Sequence, residues 1–286
     1  MTTFAGAAHD PVHGISARKY AQDVMAAISA AAVIMNLSLE RMSNIITREL
    51  SSISLDRLFS SQENRMSEAV WSNVDRYLAE ALIPTDAILE AALAANAAAD
   101  LPAIDVSPTQ GKFLHMLATI QGARRILEVG TLGGYSTICL ARALPSDGNL
   151  ITLEYSPKHA DVARSNIARA GFASSVEIRV GAAADSLAQL HAERPAPFDF
   201  IFIDADKPSN PTYLEWALKL SRKGTLIVVD NVIRDGEITN TESTDPSITG
   251  TRIMFEKMAS DPRLTATVLQ TVGSKGYDGF AFALVL

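Results

Sequence analysis

With one cysteine, two tryptophans and five histidines among 286 residues, several kinds of chemistry are poorly supplied from the outset. A lone thiol cannot close an internal disulfide. Cys139 lies among Ile138, Leu140 and Ala141, where a small core residue is expected and not a nucleophile. Without a disulfide framework, a reducing compartment follows, and the expected location is cytoplasmic. A mitochondrial location is the alternative, although Arg18 and Lys19 are offset by Asp10 and Asp23. The histidines show no ligand spacing; His115 and His159 fall in predicted helices and read as structural or solvated. Positive charge is also scarce. A net charge of −7 argues against a non-specific grip on nucleic acid or on an anionic membrane, so neither is expected as a partner. Long apolar runs are missing too. Val24 to Met35, interrupted by Ser29, falls well short of the roughly 20 residues that span a bilayer.

What is present suits a folded globular chain: 48% hydrophobic and 20% charged residues. The length allows one large α/β domain with an extension, or two small domains. We place the division near Met66. In residues 1–65 six basic side chains balance six acidic ones, so the whole negative charge belongs to residues 66–286. The first piece has a helical look from about Ala17 to Leu50 and is expected to be a helical or flexible extension without a catalytic role. A dimer-contact helix, a leader, or sequence upstream of a true start at Met66 would each fit it.

From Ser67 a helix runs through Trp71, Val74, Tyr77, Leu78 and Leu82 with one apolar face, and Pro84 stops it. A second helix covers Asp86 to about Ala98, an extended connector Leu101–Pro108, and a third helix Gly111–Gln121. Strands then alternate with helices: Arg125–Gly130, Leu150–Tyr155, Val176–Val180, Phe198–Asp204 and Thr225–Asp230. They are mostly continuous apolar runs, as when helices cover both faces of a parallel sheet. Ser156 and Pro157 open one of the helices and Gly171 closes it; Asp261 and Pro262 close a later one. Leu264–Thr271 and Phe280–Leu286 are predicted to form a terminal hairpin around Gly273, Gly276 and Gly279. The fold class is α/β, a doubly wound, mostly parallel sheet with an antiparallel C-terminal hairpin.

The first strand ends in Glu128-Val129-Gly130-Thr131-Leu132-Gly133-Gly134-Tyr135-Ser136 before a helix. Glycines there let backbone approach a ligand at a helix N-terminus. Glu154 ends the second strand, 24 positions after Gly130, where an acid can accept from both ribose hydroxyls. A nucleoside ligand follows. The dinucleotide spacing G-x-G-x-x-G is absent, and a carboxylate at Glu128 would repel a pyrophosphate but suits the cationic methionine end of S-adenosylmethionine. The fourth strand ends in Asp204-Ala205-Asp206-Lys207 and the fifth in Asp230-Asn231. In an open α/β sheet ligands sit beyond the carboxyl ends of the strands, and neighbouring strands are about 4.8 Å apart. If these two strands are neighbours, Asp204, Asp230 and Asn231 converge on one hard cation, Mg²⁺ first, with Ca²⁺ or Mn²⁺ as alternatives. Lys207 is placed to accept a phenolic proton.

Taken together, these residues resemble the cation-dependent O-methyltransferases that include the catechol and caffeoyl-CoA O-methyltransferases, over about Met66 to Leu286. The resemblance implies a seven-stranded, Rossmann-like class I methyltransferase sheet and makes residues 66–286 the S-adenosylmethionine-dependent domain. It implies that Val106 touches the cofactor, that Glu128, Gly130, Thr131 and Ser136 hold its methionine part, Glu154 its ribose and Ala183 its adenine. Asp204, next to the cofactor, Asp230 and Asn231 would bind the metal, and Lys207 with Asp204 would carry the catalysis. Direct methyl transfer to a small catechol-like phenol is implied, as is a homodimer. Ser209 and Asn210 depart from the Asn and Tyr of plant-type members, which weighs against caffeoyl-CoA and towards the microbial type. The polar segment Arg234–Ile248 is expected to be a specificity lid. A nicotinamide-dependent oxidoreductase shares the sheet and the logic of Glu154 but leaves Asp204 with Asp230-Asn231 unexplained; a silent binding or scaffold protein is the third reading.

Overall fold

The computed structural model describes residues 55–286 and one helical position, Ala26, with side chains from Glu68 onward. The helix expected over Ala17–Leu50, and with it most of the extension, therefore lies outside the described residues. Met66–Leu286 forms one compact unit. Helix α1, Leu55–Leu82, stops before Pro84. Its expected apolar face does form, but Val74, Tyr77 and Leu82 are 51%, 69% and 71% exposed, so helical spacing here does not mean burial among the described residues. Among those residues no helix is long and apolar enough to cross a membrane.

Helix α2, Ala87–Ala98, is capped by Asp86, whose Oδ1 accepts from the backbone N–H groups of Ile88 and Leu89. Helix α3, Pro108–Ile120, begins three residues earlier than the sequence suggested. Ser107 and Gln110 form a reciprocal capping box, and Pro108 takes the first helical position, where its missing N–H costs nothing. Pro108 thus opens a helix instead of prolonging the connector.

The alternating part comprises β1 (Arg125–Val129), α4 (Tyr135–Ala141), β2 (Asn149–Glu154), α5 (Pro157–Arg169), β3 (Val176–Val180), α6 (Ala183–Ala192) and β4 (Phe198–Ile203). It continues with a 3₁₀ turn at Lys207–Ser209, α7 (Asn210–Leu220), β5 (Ser221–Asp230), a second 3₁₀ segment at Arg234–Thr239, α8 (Pro246–Ser260), β6 (Leu264–Gly273) and β7 (Gly276–Val285). One seven-stranded sheet has the order β3-β2-β1-β4-β5-β7-β6. Strands β1 to β5 pair in parallel, and β7 runs antiparallel to both β5 and β6. Successive residues feed opposite cores, Phe200 and Phe202 on one face and Ile201 and Ile203 on the other, which is why β4 reads as an unbroken apolar run.

The hairpin is longer and tighter than expected. Pairing runs from Leu264↔Val285 to Gly273↔Gly276, leaving only Ser274 and Lys275 in the turn, and Gly279 lies inside β7. Glycine lowers strand propensity, but the ladder bonds use only backbone and continue through it.

Candidate active site

Three strand-end hydrogen bonds align the carboxyl edge of the sheet. Gly130 donates its N–H to Leu153 O (2.9 Å), Asp204 to Val129 O (2.8 Å) and Gly181 to Glu154 O (2.9 Å). Residue 130 must be glycine: its φ is +100°, and a Cβ there would lie 2.0 Å from the Asp204 carbonyl oxygen. The glycine turn and the Asp204 loop are therefore in backbone contact.

A cavity of about 830 Å³ opens over this edge. Its lining includes Val106, Gly130, Thr131, Ser136, Glu154, Ala183 and Asp204, which brings together all but one of the residues expected to hold a nucleoside ligand. Glu154 is buried. Its Oε2 accepts from the N–H groups of Thr131 (3.2 Å) and Leu132 (2.8 Å), and its Oε1 from Ser156 N–H (2.9 Å). One carboxylate thus ties the glycine turn to the start of α5.

Glu128 is the exception. It is fully buried and does not line the cavity. Ser136 Oγ donates to its Oε1 at 2.7 Å, while Thr152 Oγ1, at 2.7 Å, and Thr137 Oγ1 donate to Oε2. Burial pushes its carboxyl up to about 7 despite these three donors. The pleat of β1 turns Glu128 inward beneath Ser136, which does face the cavity, so its carboxylate holds the Ser136 hydroxyl from below.

A second cavity, of about 520 Å³, adjoins the first and shares Ile104, Asp105, Val106, Asp204, Asn231 and Arg234 with it. Asp230 lines only this smaller cavity, and Lys207 only the larger. Strands β4 and β5 are neighbours, as the metal reading required. Among the described residues no cluster of three His, Cys, Asp or Glu is arranged to hold a metal. The third donor here is an amide. Asn231 Nδ2 donates to Asp230 Oδ1 at 3.3 Å, which leaves the amide oxygen as a ligand, and a φ of +56° turns the residue at the strand end. Asp230 is buried, and its carboxyl is held well above the usual carboxylate range first by burial and then by the charge of Asp204. Two carboxylates and an amide oxygen, one carboxylate destabilised by burial, suit a hard divalent cation. Lys207 is buried as well, and its Nζ donates to Asp204 Oδ1 at 2.8 Å.

Some features of the site escaped the sequence reading. His159 is not merely structural or solvated: it lines the larger cavity with Nδ1 3.3 Å from Glu154 Oε1. Its position three residues into the helix capped by Ser156 was the available signal. Asp206 accepts from the Tyr213 hydroxyl, and both line the larger cavity. His115, by contrast, reaches only the Cys139 carbonyl oxygen (3.3 Å), and burial pushes the Cys139 thiol up to about 12, which makes it a core residue.

A doubly wound sheet ending in an antiparallel hairpin, with one cavity over the glycine turn after β1 and an acidic second chamber beside it, has the class I methyltransferase architecture. A family model described as O-methyltransferase matches residues 82–281, and the chain belongs to that family. It is an enzyme that methylates oxygen, which sets aside the oxidoreductase and scaffold readings. The chain is 54% identical over 220 residues to a catechol O-methyltransferase of Niastella koreensis, covering 77% of this chain and 100% of the relative. The O-methyltransferase of Bacillus cereus in complex with SAH superposes with a TM-score of 0.76 at 61% identity, covering 76% of this chain and 99% of that one. An O-methyltransferase of Streptomyces achromogenes involved in tomaymycin synthesis, in complex with SAM, gives 0.74 at 49% identity, with coverage of 76% and 98%.

Proposed function

We propose that the protein moves a methyl group from S-adenosylmethionine to one hydroxyl of a small phenol with vicinal hydroxyls, with a divalent cation at Asp204, Asp230 and Asn231. The observation that carries this reading is the meeting of two cavities at Asp204 and Asn231, one lined by the glycine turn and Glu154 and the other walled in part by aromatic rings. The relatives named as catechol enzymes or crystallised with SAM or SAH support the choice of acceptor and donor.

In the larger cavity Glu154 offers its carboxylate to the ribose hydroxyls, Ser136 and the turn at Gly130–Thr131 hold the methionine part, and Ala183 presents backbone to adenine. In the smaller cavity Phe113 and Phe280, with ring centroids 6.0 Å apart, bound the acceptor ring. A cation at the three oxygen donors supplies Lewis acidity to a phenol. Lys207, which reaches Asp204 from the cofactor side, would take the phenolic proton at Nζ as the neutral amine, the proton it donates to Asp204 having first passed to solvent. Alignment across the shared wall does the remaining work. The test is methylation of a catechol and of a matched phenol lacking the second hydroxyl, each with Mg²⁺ and with EDTA. Product from the catechol with Mg²⁺ alone supports the reading; equal product in all arms overturns it.

A further inference from the structure

The smaller cavity is walled in part by the tip of the β6–β7 hairpin, and this tip is held from two directions. Asp75 of α1 accepts at Oδ2 from the Ser274 backbone N–H (3.0 Å) and hydroxyl (2.8 Å), and at Oδ1 from the Thr109 hydroxyl (3.1 Å) in the first turn of α3. Lys275 donates from Nζ to the Ala103 carbonyl oxygen at 3.3 Å. The approach is close: a Cβ on Gly273 would lie 2.8 Å from Asp75 Oδ2. By contrast, the expected lid contributes only Arg234 and Asp235 to this cavity. All three donors to its two oxygens come from the hairpin turn and the first turn of α3. What it fixes is the distance between the hairpin turn and α3.

We propose that Asp75 is the positioning residue of the acceptor cavity, clamping the Gly273–Gly276 turn onto α1 and α3 and so setting the breadth of phenol that the enzyme takes. This inference rests on reading the smaller cavity as the acceptor site. A small catechol relies on a narrow chamber to hold its ring against Phe113 and Phe280. With the clamp removed, the turn moves outward, the small ring is held less well, and a larger one is admitted. The reacting groups at Asp204 and Lys207 are untouched.

The test uses the full chain carrying Asp75→Ala, Ser274→Ala, or both. Hydrogen exchange of the turn amides is measured without ligand, kinetics with catechol and with a two-ring catechol, and binding of S-adenosylhomocysteine by calorimetry. Asp75→Ala should speed exchange at Ser274 and raise KM for catechol about tenfold, as expected for lost hydrogen bonds to a charged group, with kcat within about threefold. It should shift the kcat/KM ratio towards the larger acceptor and leave cofactor affinity unchanged. Ser274→Ala, which keeps the backbone bond, should give a smaller shift of the same kind, and the double variant should match Asp75→Ala. Unchanged exchange at the turn overturns the proposal. So does an equal loss on both acceptors accompanied by weaker cofactor binding, which marks a general fold effect. If Asp75→Ala does not fold, Ser274→Ala decides by the same criteria. If the native chain methylates neither acceptor, the proposed function fails, and exchange at the turn alone decides whether Asp75 clamps it.

Discussion

Lys207 Nζ donates to Asp204 Oδ1 at 2.8 Å, which joins the proposed base to a proposed metal ligand in one partly buried ion pair. Lys207→Ala should lower kcat by roughly 10²–10⁴-fold, the usual contribution of a general base. S-adenosylhomocysteine should bind nearly as before, and raising the pH should restore part of the rate because the phenol then ionises unaided. A pH–rate profile with calorimetry checks this. Normal turnover with lost cofactor binding would remove Lys207 from the role of base.

Glu154 should behave in the opposite way. Its oxygens bind the glycine turn and face the larger cavity, so Glu154→Ala should weaken cofactor binding by about 1.5–3 kcal/mol through lost charge-assisted bonds. The kcat at saturating cofactor should change far less. A Kd from calorimetry beside a saturation curve separates the two.

The metal site makes a prediction with a definite sign. Burial and the neighbouring Asp204 keep a proton on Asp230 to higher pH than is usual for a carboxylate. A cation must displace that proton, so the rise in Tm on adding Mg²⁺ should be larger at about pH 8 than at about pH 6. Asp230→Asn should remove most of the difference. Identical shifts at both pH values would count against the site.

Glu128 bears on stability. Its carboxyl lies at 4.5 as a reference and at about 7 in the fold, so the folded chain binds this proton more tightly. The stabilisation is fully present below the reference value and is lost as pH rises through the folded one, by an amount on the order of 3 kcal/mol. Glu128→Gln should flatten that decline in thermal melts between about pH 5 and about pH 8. A slope unchanged by the substitution would place the titration elsewhere.

A chain beginning at Met66 should fold and methylate, because every proposed site residue and Asp75 lie beyond that point. Activity lost with an intact circular dichroism spectrum would show that residues 1–65 complete the site.

Strand ends, glycine turn and the two acid-bearing loops were legible in the sequence because each is a local pattern, an apolar run broken by Gly, Asp or Asn. The same holds for the cap at Ser156. What was not legible depends on partners distant in sequence. The inward turn of Glu128 is stabilised by hydroxyls from α4 and β2, and nothing near residue 128 announces them. Asp75 meets Ser274 across 199 positions, and no pattern near either residue announces the pairing.

The placement of the hairpin divides the chain's labour by position. The nucleoside cavity draws mainly on residues 104–213, whereas much of the wall of the second chamber comes from the last two strands and the turn between them. If the second chamber takes the acceptor as proposed, acceptor preference can drift by changes confined to one short C-terminal stretch while the proposed donor chamber stays as it is. Exchanging that stretch between relatives is a route to new acceptors that leaves the donor machinery intact.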